Sequence, residues 1–486
     1  MLGIFAFLNT HPIRPQDFWW HMAVGRSIVA THQIPAIDTF SQLMIGAPYS
    51  SYQAFWLMEV ALYGIYTLGG PSLIVFLHSI TITAAYGLVL WLCYQKSHNG
   101  RIAALCTLFA AVLGLNDWNV RPQAIAFPIG ALFILAIYHL SSDHPNHHWL
   151  AVFPLGMLIW VNSHGTFPIG FLLLGVWLLD RAWLALRTQH YALTTKLLPA
   201  LSMPLLALTG GLLAALLNPR GIGALTYLQT MSTDPVIQNM VPEWAPPSLD
   251  TFTGRAFFIE LLLSTLLILL SRRRPTVFEG LTFLAFAGLA LKTTRGIIWF
   301  GLMTAPLLAA SLRTLAQRLP IGTESPPSLQ QQRLNALLAV LLLAGSLISL
   351  PWFKALLPLP AAKSGVISQE TPIAATDFLL QQTQSGPLFH AMSFGSYLIW
   401  AAQPEYPVFV DSRIELYPLS VWRDYITISN AADNWEERLE HYAIRTLMLS
   451  SQEQPALISA IRSHPEWLKI YEDSSAVLFI SAVNQP

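Results

Sequence analysis

The chain has 486 residues, 54% of them hydrophobic and 11% charged, with 26 Lys and Arg against 26 Asp and Glu. That composition belongs to a membrane protein of many spans. It offers no basic surplus to neutralise phosphates in bulk, which excludes nucleic acid as a partner, and Cys93 and Cys106 both fall in apolar runs, which excludes a disulfide framework and a thiolate metal site.

Residues 1–9 (MLGIFAFLN) are shorter than the roughly 20 apolar residues a span needs. They lack the basic region and cleavage site of a signal peptide, and read as the outer end of a first helix. The next stretch, QDFWWHMAVGRSIVATHQIPAIDTFS at 16–41, places Asp17 beside a Trp pair. A helix over 17–32 lying in the outer interface accounts for this, with Trp19 and Trp20 as boundary aromatics. Residues 53–69 (QAFWLMEVALYGIYTLG) are apolar enough to cross, but they carry Glu59 and are flanked by PYSSY and GGP. A crossing there would set Asp17 opposite every other polar motif, so this stretch reads as a second interfacial helix.

Spans are predicted at 72–94, 101–115, 122–140, 149–162, 166–186, 197–217, 255–271, 276–291, 296–310 and 334–350. Several are short, as tilted or broken helices lining a cavity would be. If they alternate, Lys96, Arg101, Arg181, Arg187, Lys196, Arg272, Arg273, Arg274, Arg313, Arg318 and Arg333 share one side, which the positive-inside rule makes the cytoplasm. Residues 351–364 form a Pro-punctuated linker, and 365–486 have soluble patterning. There PLFHA, YPVFV, RTLMLS, LKIY and AVLFI predict strands, and 373–383, 393–402, 434–443 and 454–463 predict helices, the alternation of a small α/β domain. The expectation is an α-helical polytopic membrane protein with about eleven transmembrane helices over 1–350, outer juxtamembrane helices at 17–69, and a C-terminal α/β domain outside the cytoplasm.

The outward loops then collect Asp17, His21 and Arg26; Asp117 and Arg121 in NDWNVRPQ; Asn162 and His164 in WVNSHGTFP; Asn218 and Arg220 in LNPRG; Glu243 with Trp244 in VPEWAPP; and Lys292 with Arg295 in LKTTRG. Carboxylates, cations and aromatics at one membrane boundary suit a substrate whose tail stays in lipid. Moving a sugar from a lipid phosphate to an alcohol needs a carboxylate at the acceptor hydroxyl, as base or through a metal, and cations for the leaving phosphate. A guanidinium grips a phosphate at two points. Lys292 and Arg295 sit outside, against the charge trend, and so require a local anionic partner.

The stretch DFWWHMAVGRSI with IPAIDTFS, as the first outer loop after one helix, resembles the opening of the polytopic GT-C glycosyltransferases. It is most similar to bacterial relatives of the rhizobial galacturonosyltransferases and the protein mannosyltransferases. The resemblance covers roughly residues 1–310. It implies an essential acidic residue in that loop, matched by Asp17, two juxtamembrane helices, and a second acidic residue in the next outer loop, matched in position by Asp117. It also implies a polyprenyl-phosphate-linked sugar donor, membrane lipids as surroundings, a glycan, lipid or protein acceptor, and a bacterial cytoplasmic (inner) membrane location. Many members carry an adjacent acidic pair where this loop has a single Asp, a departure that counts against a metal-assisted mechanism, although a divalent metal stays among the cofactors the resemblance allows.

Asp17 and Asp117 are therefore the expected catalytic residues, and His21, Arg121, His164, Glu243, Lys292 and Arg295 the expected substrate contacts. Each has a competing account. Asp17 sits where a helix N-cap would, His21 is a structural histidine, Asp117 pairs with Arg121 in a solvated loop, and Glu59 pairs with a nearby cation. Asn162 and His164 satisfy backbone groups at a helix break, and Lys292 and Arg295 snorkel to headgroups. The HPNHH segment at 144–148 lacks zinc-site spacing and reads as a polar loop. Asp411 and Arg413 in FVDSRIEL follow a predicted strand, where an α/β sheet places function; a surface ion pair is the alternative. A transporter or scaffold for lipid-linked glycans is the main rival, although a transporter keeps polar groups at mid-bilayer depth rather than at the rim. A glycan ligase or polymerase would use the same groups.

Overall fold

The computed structural model describes residues 1–187, 193–317, 328–382 and 386–482; Arg318 and position 383 of the expected helix 373–383 lie outside them. The chain is mostly helical, with one small sheet near its C-terminus. In chain order the helices are α1 (Leu2–Asn9), α2 (Phe18–Thr31), α3 (Ser51–Ser97), α4 (Gly100–Leu113), α5 (Ala126–Leu140), α6 (Val152–Val161), α7 (Pro168–Arg187), α8 (Leu193–Ala215), α9 (Gly223–Thr233), α10 (Pro235–Met240), α11 (Phe252–Leu270), α12 (Val277–Lys292), α13 (Gly296–Ala316) and α14 (Leu329–Ile348). After them come α15 (Ala361–Ser364), α16 (Ile373–Leu380), α17 (Met392–Ala401), α18 (Leu419–Ser429), α19 (Trp435–His441) and α20 (Pro455–Arg462).

Six of these helices are long and apolar enough to cross a membrane, among the described residues. A multi-pass membrane protein follows. α3 is interrupted at Gly69 and Gly70, where Gly70 takes φ 63° and ψ −161°, a conformation glycine adopts readily, and Pro71 starts the next helical stretch.

The chain divides into two compact units. The first comprises Met1–Asn9, Phe76–Thr233 and Val241–Phe353. Its centre is α13, buried at every position from Gly296 to Ser311, and Gly301 lets it lie against Ala110 of α4, whose Cα would be 3.1 Å from an added Cβ. α14 contrasts with it: only 6% of its apolar window is buried, and Leu337, Leu338, Leu341 and Leu342 are exposed. Hydrocarbon, not water, suits such a surface. Cys93 and Cys106 are buried in this core and unbridged.

The second unit comprises Thr10–Val75, Asp234–Met240 and Lys354–Pro486. It holds a four-stranded sheet of order β1-β2-β4-β3, built from β1 (Leu388–His390), β2 (Thr446–Ser450), β3 (Trp467–Glu472) and β4 (Ala476–Ser481). β1 and β2 are parallel, with Leu388 opposite Thr446; β4 runs antiparallel to both β2 and β3. The expected strand YPVFV is not one. It forms an isolated bridge, Val408 to Ser41, and its main chain bonds to Phe40 and Gln42 of the first loop. α2 packs on α17, with Trp20 N–H donating to Ser396 Oγ at 3.0 Å and Arg26 donating to the Trp400 carbonyl at 2.9 Å. Trp19 and Trp20 are therefore not boundary aromatics. They are buried, Trp19 against Tyr397 and Trp400, and Trp20 against Tyr52.

Candidate functional site

In the first unit, residues from four loops converge: 115–125 after α4, 162–167 between α6 and α7, 241–247 before α11, and 293–295 between α12 and α13. Each loop begins where a helix stops for a local reason. Asn162 closes α6, and its Nδ2 returns to the Leu158 carbonyl. Asn218, after α8, donates to the Val161 carbonyl at 3.0 Å and to Asn162 Oδ1 at 3.1 Å, so these two asparagines join the helix breaks. Prolines punctuate VPEWAPP into the short turn Pro242–Trp244. That turn is tied to the next loop by Arg295 N–H to the Glu243 carbonyl and by Thr294 N–H to the Ala245 carbonyl, at 3.2 and 2.9 Å.

Glu243 is the hub. Its Oε1 accepts from Arg121 Nη1 at 3.0 Å, and its Oε2 from Arg295 Nε and Nη2 at 2.7 and 2.6 Å. Trp244 adds its ring 5.5 Å from the Arg295 guanidinium. Burial raises the Glu243 pKa, but the Arg295 and Arg121 charges outweigh it and hold the carboxyl at about 2. Glu243 is 37% exposed, so solvent screening keeps each pair to about 0.2–1 kcal/mol.

Asp117 closes the turn Leu115–Asp117, and Gln123 donates to its carbonyl at 3.4 Å. Burial pushes its carboxyl up to about 7; the Glu243 charge adds to this, and Arg295 and Arg121 oppose it. Burial together with the same two arginines presses His164 down to about 3, so its ring is neutral. The proton position follows from the neighbours. Thr166 N–H donates to His164 Nδ1 at 3.3 Å, and the Thr166 hydroxyl, which accepts from Trp160 Nε1 at 3.1 Å, lies 3.0 Å from the same nitrogen. Nδ1 is the acceptor, and the ring proton sits on Nε2. Lys292, the last residue of α12, is exposed; Arg121 is the cation that shares Glu243 with Arg295.

The remaining expected residues lie in the second unit. Asp17 stands just before α2, yet its side chain makes no capping bond, which corrects the N-cap account. Its charge is felt by Glu415, whose carboxyl is raised chiefly by burial, although it accepts from Tyr49 Oη at 2.7 Å and Ser51 Oγ at 3.0 Å. His21 is buried, its Nδ1 2.9 Å from Glu59 Oε1. That pair is set at a close helix approach, because a Cβ on Gly25 would lie 2.1 Å from the Glu59 carbonyl oxygen.

Asp411 and Arg413 are paired, but not at the surface. Arg413 Nε and Nη2 meet the two Asp411 oxygens at 2.8 and 2.6 Å, its Nη1 meets Asp38 and Tyr52, and all three charged side chains are 0% exposed. Burial disfavours the charged form of Asp411, and the Arg413 charge overrides it and holds the carboxyl below its ordinary range. Asp38, Tyr52 and Glu415 escaped sequence reasoning. The only signal for Asp38 was its place in IPAIDTFS, where it accepts from Ser41 N–H at 2.9 Å in a tight turn.

Among the described residues no three His, Cys, Asp or Glu side chains converge to hold a divalent metal, and both Glu243 oxygens face guanidiniums.

No family model matches the sequence, and no curated protein matches it. Solved structures do share its architecture. The archaeal oligosaccharyltransferase AglB from Archaeoglobus fulgidus, in complex with an inhibitory peptide and a dolichol-phosphate, matches with 12% identity and a TM-score of 0.52 over 100% of this chain and 74% of its own. ArnT from Cupriavidus metallidurans, bound to undecaprenyl phosphate, matches with 12% identity and a TM-score of 0.51, covering 99% of this chain and 97% of its own. The arabinofuranosyltransferase AftD from Mycobacteria matches with 13% identity and a TM-score of 0.58 over 99% of this chain and 41% of its own. At such identities the likeness speaks for architecture alone, and on that basis the chain has the GT-C fold of polytopic membrane glycosyltransferases.

Proposed function

We propose that the chain is a membrane glycosyltransferase moving a sugar from a polyprenyl-phosphate-linked donor to an extracytoplasmic acceptor hydroxyl. The observation that carries this reading is the meeting of Arg121 and Arg295, from separate loops, on a single carboxylate within 3.0 Å. Guanidiniums so placed suit a phosphate, which they bind more tightly as it gains charge. The dolichol-phosphate and undecaprenyl phosphate in the names of the similar structures support a ligand of that kind.

In the transfer, the acceptor oxygen forms a bond to the anomeric carbon while the bond from that carbon to the phosphate oxygen breaks. The electron pair leaves with the phosphate, which Arg295 and Arg121 receive. The hydroxyl proton passes to a carboxylate. Asp117 is poised for this because its pKa of about 7 matches the working pH, and Asp17 keeps the acceptor-side role that its loop suggests. Inversion at the anomeric carbon follows from direct displacement. The proposed topology has about eleven crossings in a bacterial cytoplasmic membrane, ten of them formed by residues 71–97, α4–α8 and α11–α14, with the basic loops inside and residues 365–486 outside.

The test is transfer from undecaprenyl-phosphate-linked sugars by membranes carrying the full chain. Arg295→Gln and Asp17→Asn are each expected to lower the rate by about 10²-fold or more. Activity within a few-fold of the parent in either variant removes that residue from the mechanism.

A further inference from the structure

The clamp is already full. Arg121 and Arg295 each point at Glu243, which occupies the place between them that an incoming anion needs. The carboxylate is 37% exposed, the Arg295 side chain 32% and the Arg121 side chain 15%, so the Arg295 side of the contact opens directly to solvent. The turn beneath it has separate anchors: the main-chain bonds of Arg295 to Glu243 and of Thr294 to Ala245, and the Trp244 ring beside Arg295. A change of the Glu243 rotamer therefore breaks its contacts with both guanidiniums while the loop stays in place. Charge count argues the same way. Arg121 and Arg295 are balanced by Glu243 and Asp117 when Asp117 is ionised, so a phosphate gains the full attraction of both guanidiniums only once Glu243 turns away. The polyprenyl phosphate product is a monoester carrying about −1.5 to −2 at neutral pH, against one charge on the carboxylate, whereas the sugar-linked donor is a diester that matches the carboxylate in charge.

We infer that Glu243 is a built-in counter-anion: it holds Arg121 and Arg295 ready in the empty chain, yields them to the phosphate of the lipid ligand, and competes with that phosphate for them. This rests on the proposed function, because it takes the clamp as the phosphate site. A ligand moves such an equilibrium only through its preference for one state, and the weak, half-solvated contacts of Glu243 make the exchange accessible.

The experiment is equilibrium binding of undecaprenyl phosphate to the full-length chain in detergent. Glu243→Gln keeps the shape and removes the competing charge, and is expected to bind about threefold to tenfold tighter than the parent and to show correspondingly stronger product inhibition. Equal or weaker binding by a folded Glu243→Gln protein overturns the inference, since Glu243 would then be holding the arginines in their bound pose. A second measurement leaves the sequence intact: carbodiimide-driven amine coupling to Glu243 of the parent, read by mass spectrometry. Saturation with undecaprenyl phosphate is expected to raise coupling severalfold, and unchanged or reduced coupling overturns the inference. Arg295→Gln separates the two readings. If it binds undecaprenyl phosphate as tightly as the parent, or if the parent binds none, the proposed phosphate site fails and the inference with it. If the parent binds and Arg295→Gln does not, the site stands and the Glu243 results decide.

Discussion

Arg413 shows what one side chain can hold together. Its guanidinium lies among Asp411, Asp38, Tyr52 and the rings of Phe40 and Tyr49, fully enclosed. Arg413→Gln leaves two buried carboxylates without their cation, and the expected cost is about 3–5 kcal/mol of unfolding free energy, measured by denaturant unfolding of the chain in detergent. A loss under about 1 kcal/mol would show that water or protonation relieves the site. The residue types at 411 and 413 were legible in the sequence as a charged pair, but their setting was not. Asp38 is 375 residues from Arg413, and no local pattern announces a partner at that distance. The Arg121, Glu243 and Arg295 cluster was legible only as three charges on one side of the membrane. That Arg121 rather than Lys292 completes it depends on how four loops fold back on one another.

At the scale of elements, the helical period and apolar length carried most of the reading. The expected 166–186, 255–271 and 276–291 match α7, α11 and α12 to within a few residues, because apolar runs bounded by Pro, Gly and charge leave little choice. YPVFV failed for a physical reason: strand propensity says that a segment extends, not which neighbour it bonds to, and this one bonds to the first loop. α18 was missed because LSVWRDYITIS mixes β-branched and polar residues, so its amphipathic face emerges only once the core is known. β1 carries a pH device of its own. His390 Nδ1 donates to the Ala391 carbonyl at 2.8 Å, and Nε2 accepts from Phe409 N–H at 3.0 Å, so a second proton has no acceptor to meet. Burial lowers its pKa from 6.5 to about 4. With the folded value depressed, both states are neutral above 6.5, while below it the unfolded chain takes up the proton first. Stability is therefore expected to fall by about 3 kcal/mol between pH 6.5 and 4. Unfolding midpoints at pH 7 and pH 4 measure it, and His390→Gln is expected to flatten this part of the profile.

The whole molecule is governed by its apolar exterior. α14 and the outer faces of α8 and α11 expose rows of leucine, among them Leu206, Leu213, Leu262 and Leu341, and water would penalise each by roughly 1.5–3 kcal/mol relative to burial. The protein is expected to sediment with membranes after alkaline carbonate extraction and to enter solution only with detergent; release by carbonate alone would contradict a multi-pass arrangement. Within that frame, the charges around Arg121 and Arg295 divide by acidity. Glu243 at about 2 and His164 at about 3 titrate far below the range in which cells grow, while Asp117 at about 7 lies inside it. On the proposed function, souring of the medium leaves the grip on phosphate armed and withdraws a single proton acceptor, so that ambient acidity is expected to act as a rheostat on turnover.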